Sequence, residues 1–116
     1  MAEVEKKLES LSLAFSKHQQ QMNDLVQSRS QLETQFQENK IVKEEFSSLD
    51  SNSKIYKLTG PVLLPQDFSE AQLNVDKRIE FINNEIDRVE EKIASEEKEA
   101  EKIRNEIVAM KLQAGQ

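Results

Sequence analysis

Residues 75–114, VDKRIEFINNEIDRVEEKIASEEKEAEKIRNEIVAMKLQA, decide the fold. Stepping alternately by four and three from Val75 gives Ile79, Ile82, Ile86, Val89, Ile93, Glu96, Ala100, Ile103, Ile107, Met110 and Ala114, a stripe in which only Glu96 is polar. A 3.5-residue repeat sustained past three heptads, with no Gly or Pro inside it, predicts a coiled-coil helix. Asp76, Arg78, Glu85, Glu90, Lys92, Glu97, Glu99, Arg104 and Glu106 flank the stripe. Charges there set partner and register, although each exposed ion pair is individually weak.

The N-terminal half carries a matching stripe: Val4, Leu8, Leu11, Phe15, His18, Met22, Leu25, Arg29, Leu32, Phe36, Asn39, Lys43 and Phe46. Folding the chain between the stripes pairs residues whose numbers sum to about 118, a register set by seam periodicity alone. Leu8 then faces Met110, Leu11 faces Ile107, Phe15 faces Ile103, Leu25 faces Ile93, Leu32 faces Ile86 and Phe36 faces Ile82. Every a position meets a d, as an antiparallel pair requires. At 1.5 Å of rise per residue each arm is expected to reach roughly 65 to 70 Å. The expected fold is all-α: two long helices, over about 3–50 and 68–113, forming an antiparallel coiled coil (an α-hairpin), with a short β-hairpin over about 54–65 between them, all in one domain.

Polar residues interrupt the seam. In the expected register His18 and Glu96 fall within about one turn of each other, so they either form a hydrogen-bonded pair that fixes alignment or lean separately to solvent. Solvation is the simpler reading, and a lone His carries no metal or catalytic signal. Arg29, Asn39 and Lys43 read as register devices or snorkelling side chains.

Between the helices lies SLDSNSKIYKLTGPVLLPQDFSEA, residues 48–71, where the heptads stop. Lys54 to Leu58 alternates charge with bulk, Thr59-Gly60-Pro61 supplies turn residues, and Val62-Leu63-Leu64 is a second short apolar strand ended by Pro65. Asp67 or Ser69 is the expected cap of the second helix, with Phe68 packing near its start. A solitary two-stranded hairpin is marginal in water, so this one is expected to pair with strands of other chains. The alternative is an ordered loop folded onto its own helix ends.

Composition narrows the function classes. A charged fraction of 33% with only 2 Gly and 2 Pro suits narrow apolar stripes on wet helices better than a thick core around a cavity. The absence of Cys excludes disulfides, cysteine-based zinc sites and a cysteine nucleophile. A net charge of -6 would repel a phosphate backbone, and Lys and Arg are interleaved with Glu and Asp, so no nucleic-acid partner is expected. The start MAEVEKKLES has no apolar h-region, and eighteen apolar residues never run together. No membrane association is expected, and the default location is the cytoplasm.

Some apolar residues leave the seam. Ile41, Val42, Leu49, Leu73 and Phe81 lie near the hairpin, which suggests packing against neighbouring subunits, whereas Leu13, Val108 and Leu112 lie near the chain ends. Exposed apolar groups there suit recognition of other hydrophobic chains, although scattered surface apolars are common.

Three stretches carry a family resemblance: LETQFQENKIVKEEF at 32–46, YKLTGPVLLPQ at 56–66 and NVDKRIEFINNEI at 74–86. The hairpin motif placed between the other two is the specific element. On these residues the chain resembles prefoldin, and within that family its β-class subunits, over nearly the whole length. The resemblance implies a six-subunit, ATP-independent chaperone in which hairpins from two α-class and four β-class chains build a β-barrel platform from which six coiled coils hang. It implies capture of unfolded actin and tubulin at the coiled-coil ends and transfer to the cytosolic group II chaperonin, with no cofactor. The lack of a Gly-rich phosphate loop agrees with that.

Carried onto this sequence, the assembly role falls on Ile55, Tyr56, Leu58, Val62, Leu63 and Leu64. Client contact falls on Val4, Leu8, Leu11, Leu13, Phe15, Ile103, Ile107, Val108, Met110 and Leu112. Weak apolar contacts from several arms hold an unfolded chain through effective concentration, without a shaped pocket. The competing reading from another class is a structural or tethering coiled coil, which needs no hairpin. An enzyme is the remote third, since no nucleophile constellation or metal-ligand spacing is present.

Overall fold

A computed structural model of the chain describes residues 2–49, 55–59 and 62–115. Two long helices form a hairpin: α1 spans Ala2–Ser47 and α2 spans Phe68–Ala114. Neither contains Gly or Pro; α1 is rich in Glu, Gln, Lys and Leu and α2 in Glu and Lys, residues that lose little rotamer freedom in a helix. Between them the backbone forms β1 (Ile55–Thr59) and β2 (Val62–Gln66), paired antiparallel. The chain divides into two compact units, residues 1–30 with 87–116, and residues 31–86.

Helix ends are set by local hydrogen bonds. α1 stops at Ser47, short of the expected end near residue 50. Ser48 N donates to Glu45 O and Leu49 N to Phe46 O, both at 3.1 Å, so the chain tightens into three-residue turns. The hydroxyls of Ser47 and Ser48 donate to the carbonyls of Glu44 and Glu45 at 2.6 and 2.7 Å, competing with further helix. At the start of α2, Asp67 is the cap: its Oδ2 accepts from Glu70 N at 3.2 Å, and its carbonyl accepts from Ala71 N at 2.9 Å. Ser69 lies inside the helix.

The predicted seam is the covered face of both helices. On α1 the stripe residues from Val4 to Asn39 are partly buried and Phe46 is buried. On α2, Val75, Ile82, Val89, Ile93 and Ala100 are buried, and Ile79, Ile86, Glu96, Ile103, Ile107 and Met110 are partly buried. The side chain of Ala114 lies outside the described residues. Lys43 is the exception: it is exposed, and its Nζ lies 3.1 Å from Asp76 Oδ1, a charge contact that lacks hydrogen-bond geometry. Its long stem lets the charge leave the seam for solvent. Asn39 turns back on its own helix, donating to Gln35 O at 2.8 Å.

In the unit of residues 31–86 the seam runs past its expected start at Val75. Phe46, Ala71 and Val75 form a buried cluster with Phe68 and Ile79 packed against it. The rings of Phe46 and Phe68 meet edge to face, 5.5 Å between centroids and 75° between planes. The alternation carried backwards from Val75 passes through Gln72 to Phe68, whereas Ala71, four residues before Val75, stands one place off it and is nevertheless covered.

In the unit of residues 1–30 and 87–116 the seam carries, besides the partly buried Arg29, a polar layer at His18 and Glu96. His18 Nδ1 contacts Glu96 Oε2, and the two side chains are 26% and 23% exposed. Gln21, with its amide nitrogen turned inward, donates to Glu96 Oε1 at 3.0 Å. Of the two sequence readings the structure takes the paired one, because a carboxylate at a seam position costs free energy unless donors reach it.

His18→Leu leaves Glu96 short of a donor and is expected to cost about 1 to 3 kcal/mol in thermal denaturation followed by circular dichroism. His18→Leu combined with Glu96→Leu is expected to recover that loss. An unchanged melt for the single variant contradicts the pairing. Asp67→Ala is expected to cost about 1 kcal/mol by the same measurement.

Candidate functional site

The strand pair is the first candidate surface. Its register sets Ile55 opposite Gln66, Tyr56 opposite Pro65, Lys57 opposite Leu64, Leu58 opposite Leu63 and Thr59 opposite Val62. All six residues assigned to assembly therefore belong to paired backbone. The sequence reading ended the second strand at Pro65, whereas β2 continues through Pro65 to Gln66. Alternate residues of a two-stranded pair turn their N–H away from the partner, and proline is accepted at such a position. The expected turn at Gly60-Pro61 and the expected first strand residue Lys54 lie outside the described residues. Among the described residues no third strand joins the pair, so each strand has an outer edge of backbone donors and acceptors.

The second candidate surface lies in the unit of residues 1–30 and 87–116. The structure divides the ten client-contact candidates into two groups. Val4, Leu8, Leu11, Phe15, Ile103, Ile107 and Met110 are seam residues, partly buried against the opposing helix. Leu13, Val108 and Leu112 point outward, 67%, 48% and 66% exposed. The first group holds the arm together, and only the second is free to touch another chain without disturbing the seam. Val26 is also exposed there. The sequence reading passed over it, although its place one residue after the seam position Leu25 was a sufficient signal.

In the unit of residues 31–86, Ile41, Val42, Leu49, Leu73 and Phe81 are all exposed, as their places outside the seam predict. Among the described residues, no group of three or more His, Asp or Glu side chains gathers as a metal site, and no helix is long and apolar enough to cross a membrane. What the surfaces offer is apolar area and open strand edges, which is the chemistry of binding other polypeptides.

Comparison with known proteins agrees with that chemistry. A family model described as a prefoldin subunit matches residues 9–114. Prefoldin subunit 6 of Saccharomyces cerevisiae is 46% identical over 89% of this chain and 90% of its own length. Prefoldin subunit 6 of Homo sapiens is 36% identical over 95% of this chain and 86% of its own length. The crystal structure of the prefoldin beta subunit from Thermococcus superposes with a TM-score of 0.83, covering 89% of this chain and 90% of that one, at 17% identity, a likeness of fold. With the helical hairpin, the seam and the family match all in agreement, the chain belongs to the prefoldin family of chaperone subunits.

Proposed function

We propose that this chain is a β-class subunit of a cytoplasmic hetero-hexameric prefoldin, equivalent to subunit 6 of the relatives it matches. It holds unfolded proteins, actin and tubulin among them, at the free ends of its helices and passes them to the cytosolic group II chaperonin without nucleotide. The observation that carries this reading is the pair of short strands, joined by no third strand among the described residues, between two helices that otherwise cover each other along a seam. A helix pair that only tethers has no use for such strands. Strands with open edges, by contrast, bind other strands through main-chain hydrogen bonds.

The division of residues follows from their surroundings. Ile55, Tyr56, Leu58, Val62, Leu63 and Leu64 serve assembly with other α- and β-class subunits. Leu13, Val108 and Leu112 make the first contacts with client chains, and the seam residues around them join only where the helix ends part. Each apolar contact is weak, so retention depends on several arms acting together and release needs no energy source.

Two experiments separate these roles. Leu58→Asp with Leu63→Asp is expected to abolish co-assembly with partner subunits in size-exclusion chromatography while leaving far-ultraviolet helical signal in place. A hexamer that forms normally would mean that the strands are not the platform. The triple variant Leu13→Ser, Val108→Ser, Leu112→Ser is expected to assemble normally and to lose at least half of its suppression of actin aggregation, measured by light scattering. Full suppression by the assembled triple variant would contradict the assignment of client contact to these residues.

A further inference from the structure

The unit of residues 31–86 contains a groove between its helices, lined by Gln35 and Asn39 of α1 and by Lys77, Arg78, Phe81 and Ile82 of α2. Ile82 is buried at 6% exposure, whereas Phe81 beside it is 64% exposed. The other four phenylalanines, at positions 15, 36, 46 and 68, are buried or partly buried. Phe81 is thus the one phenylalanine turned outward, and it stands at a concave place and not on a bare ridge.

Charge distinguishes this groove from the other exposed apolar positions. The chain as a whole carries -6, and its cations are dispersed among carboxylates. Lys77 and Arg78 are neighbours in sequence, an arrangement repeated only at Lys6-Lys7. Both are exposed. Of the carboxylates near them on the same helix, Asp76 is taken by Lys43, Glu85 has a contact of its own within the chain, and Glu80 is exposed. Two cations beside an outward aromatic ring and a buried isoleucine complement a segment that presents an apolar residue flanked by carboxylates. A cleft between two helices is filled by the ridge of a third helix, with the apolar side chain as anchor.

We propose that this groove is a docking site for an acidic amphipathic helix of another polypeptide. The site shares no residue with the strand pair or with the outward apolar residues near the chain ends, so it adds a third contact to the assembly and client surfaces. Phe81 and Ile82 provide the apolar contact, while Lys77 and Arg78 select for carboxylates and set the direction of the docked helix.

The test uses the full chain purified with its bound partners and carrying p-benzoylphenylalanine in place of Phe81, an exposed position. After irradiation, the cross-linked peptides are mapped by mass spectrometry. The proposal expects adducts on one helical segment of another polypeptide, with carboxylates on both sides of an apolar residue. It also expects the yield to fall about tenfold with Lys77→Glu and Arg78→Glu, the scale of effect that close charge pairs produce at interfaces. Lys77→Gln with Arg78→Gln, which keeps helix propensity and removes charge without reversing it, is expected to give an intermediate loss. No adduct, adducts scattered over many segments, adducts on a second copy of this chain, or a yield indifferent to both charge variants would each overturn it.

Discussion

The seam between the two helices imposes one demand on the sequence: apolar side chains every three and four residues on both strands of the hairpin, in registers that run in opposite directions. Among the described residues of the chain nothing else provides comparable burial. Its buried residues, Phe46, Ala71, Val75, Ile82, Val89, Ile93 and Ala100, are all seam or seam-extension positions. Because the seam is narrow, the rest of each helix surface remains wet, and this explains a sequence that is one-third charged and still folded. It also limits function. A molecule whose core is a single stripe has no interior in which to desolvate a reacting group, so its capacities lie in surfaces.

Within that limit, departures from the stripe carry the information. Glu96 lies in the seam and is satisfied by His18 and Gln21, a layer that favours one alignment of the helices over its neighbours. Lys43 occupies a seam position in the repeat but leaves it for Asp76. Apolar residues outside the stripe, from Leu13 near one end of the chain to Phe81 beside two cations, are exposed, and the proposed contact surfaces for other chains are drawn from them. The proposed chaperone role needs both properties: a stripe that satisfies itself, and exposed apolar groups that remain available because the stripe does not need them.

Much of the fold was legible because heptad periodicity is a signal summed over many residues. The stripes, the antiparallel pairing and the exposure of the non-seam apolars all followed from spacing. Boundaries were less legible, because they depend on single hydrogen bonds. Two serines and two three-residue turns ended α1 early, and β2 runs through Pro65 to Gln66 because an outward-facing strand position does not need the N–H that proline lacks. Phe68 packs near the start of α2 as its place predicts, whereas Ala71 stands one residue off the repeat and an alanine adds little to a hydrophobic count, so its burial was not legible. The site was legible in part. Spacing set Leu13, Val108 and Leu112 outside the seam, but the client-contact set carried over from the resemblance also took in seven seam residues, which the structure shows partly covered.

The account holds that the helices are complete as an intramolecular pair and that the strands between them are what other subunits bind. Native mass spectrometry of the complex purified through this chain tests that claim most directly. The account predicts a closed assembly of six chains in which this one is accompanied by other prefoldin subunits. A dimer of this chain alone, or an open-ended series of masses, would contradict it and favour a tethering coiled coil.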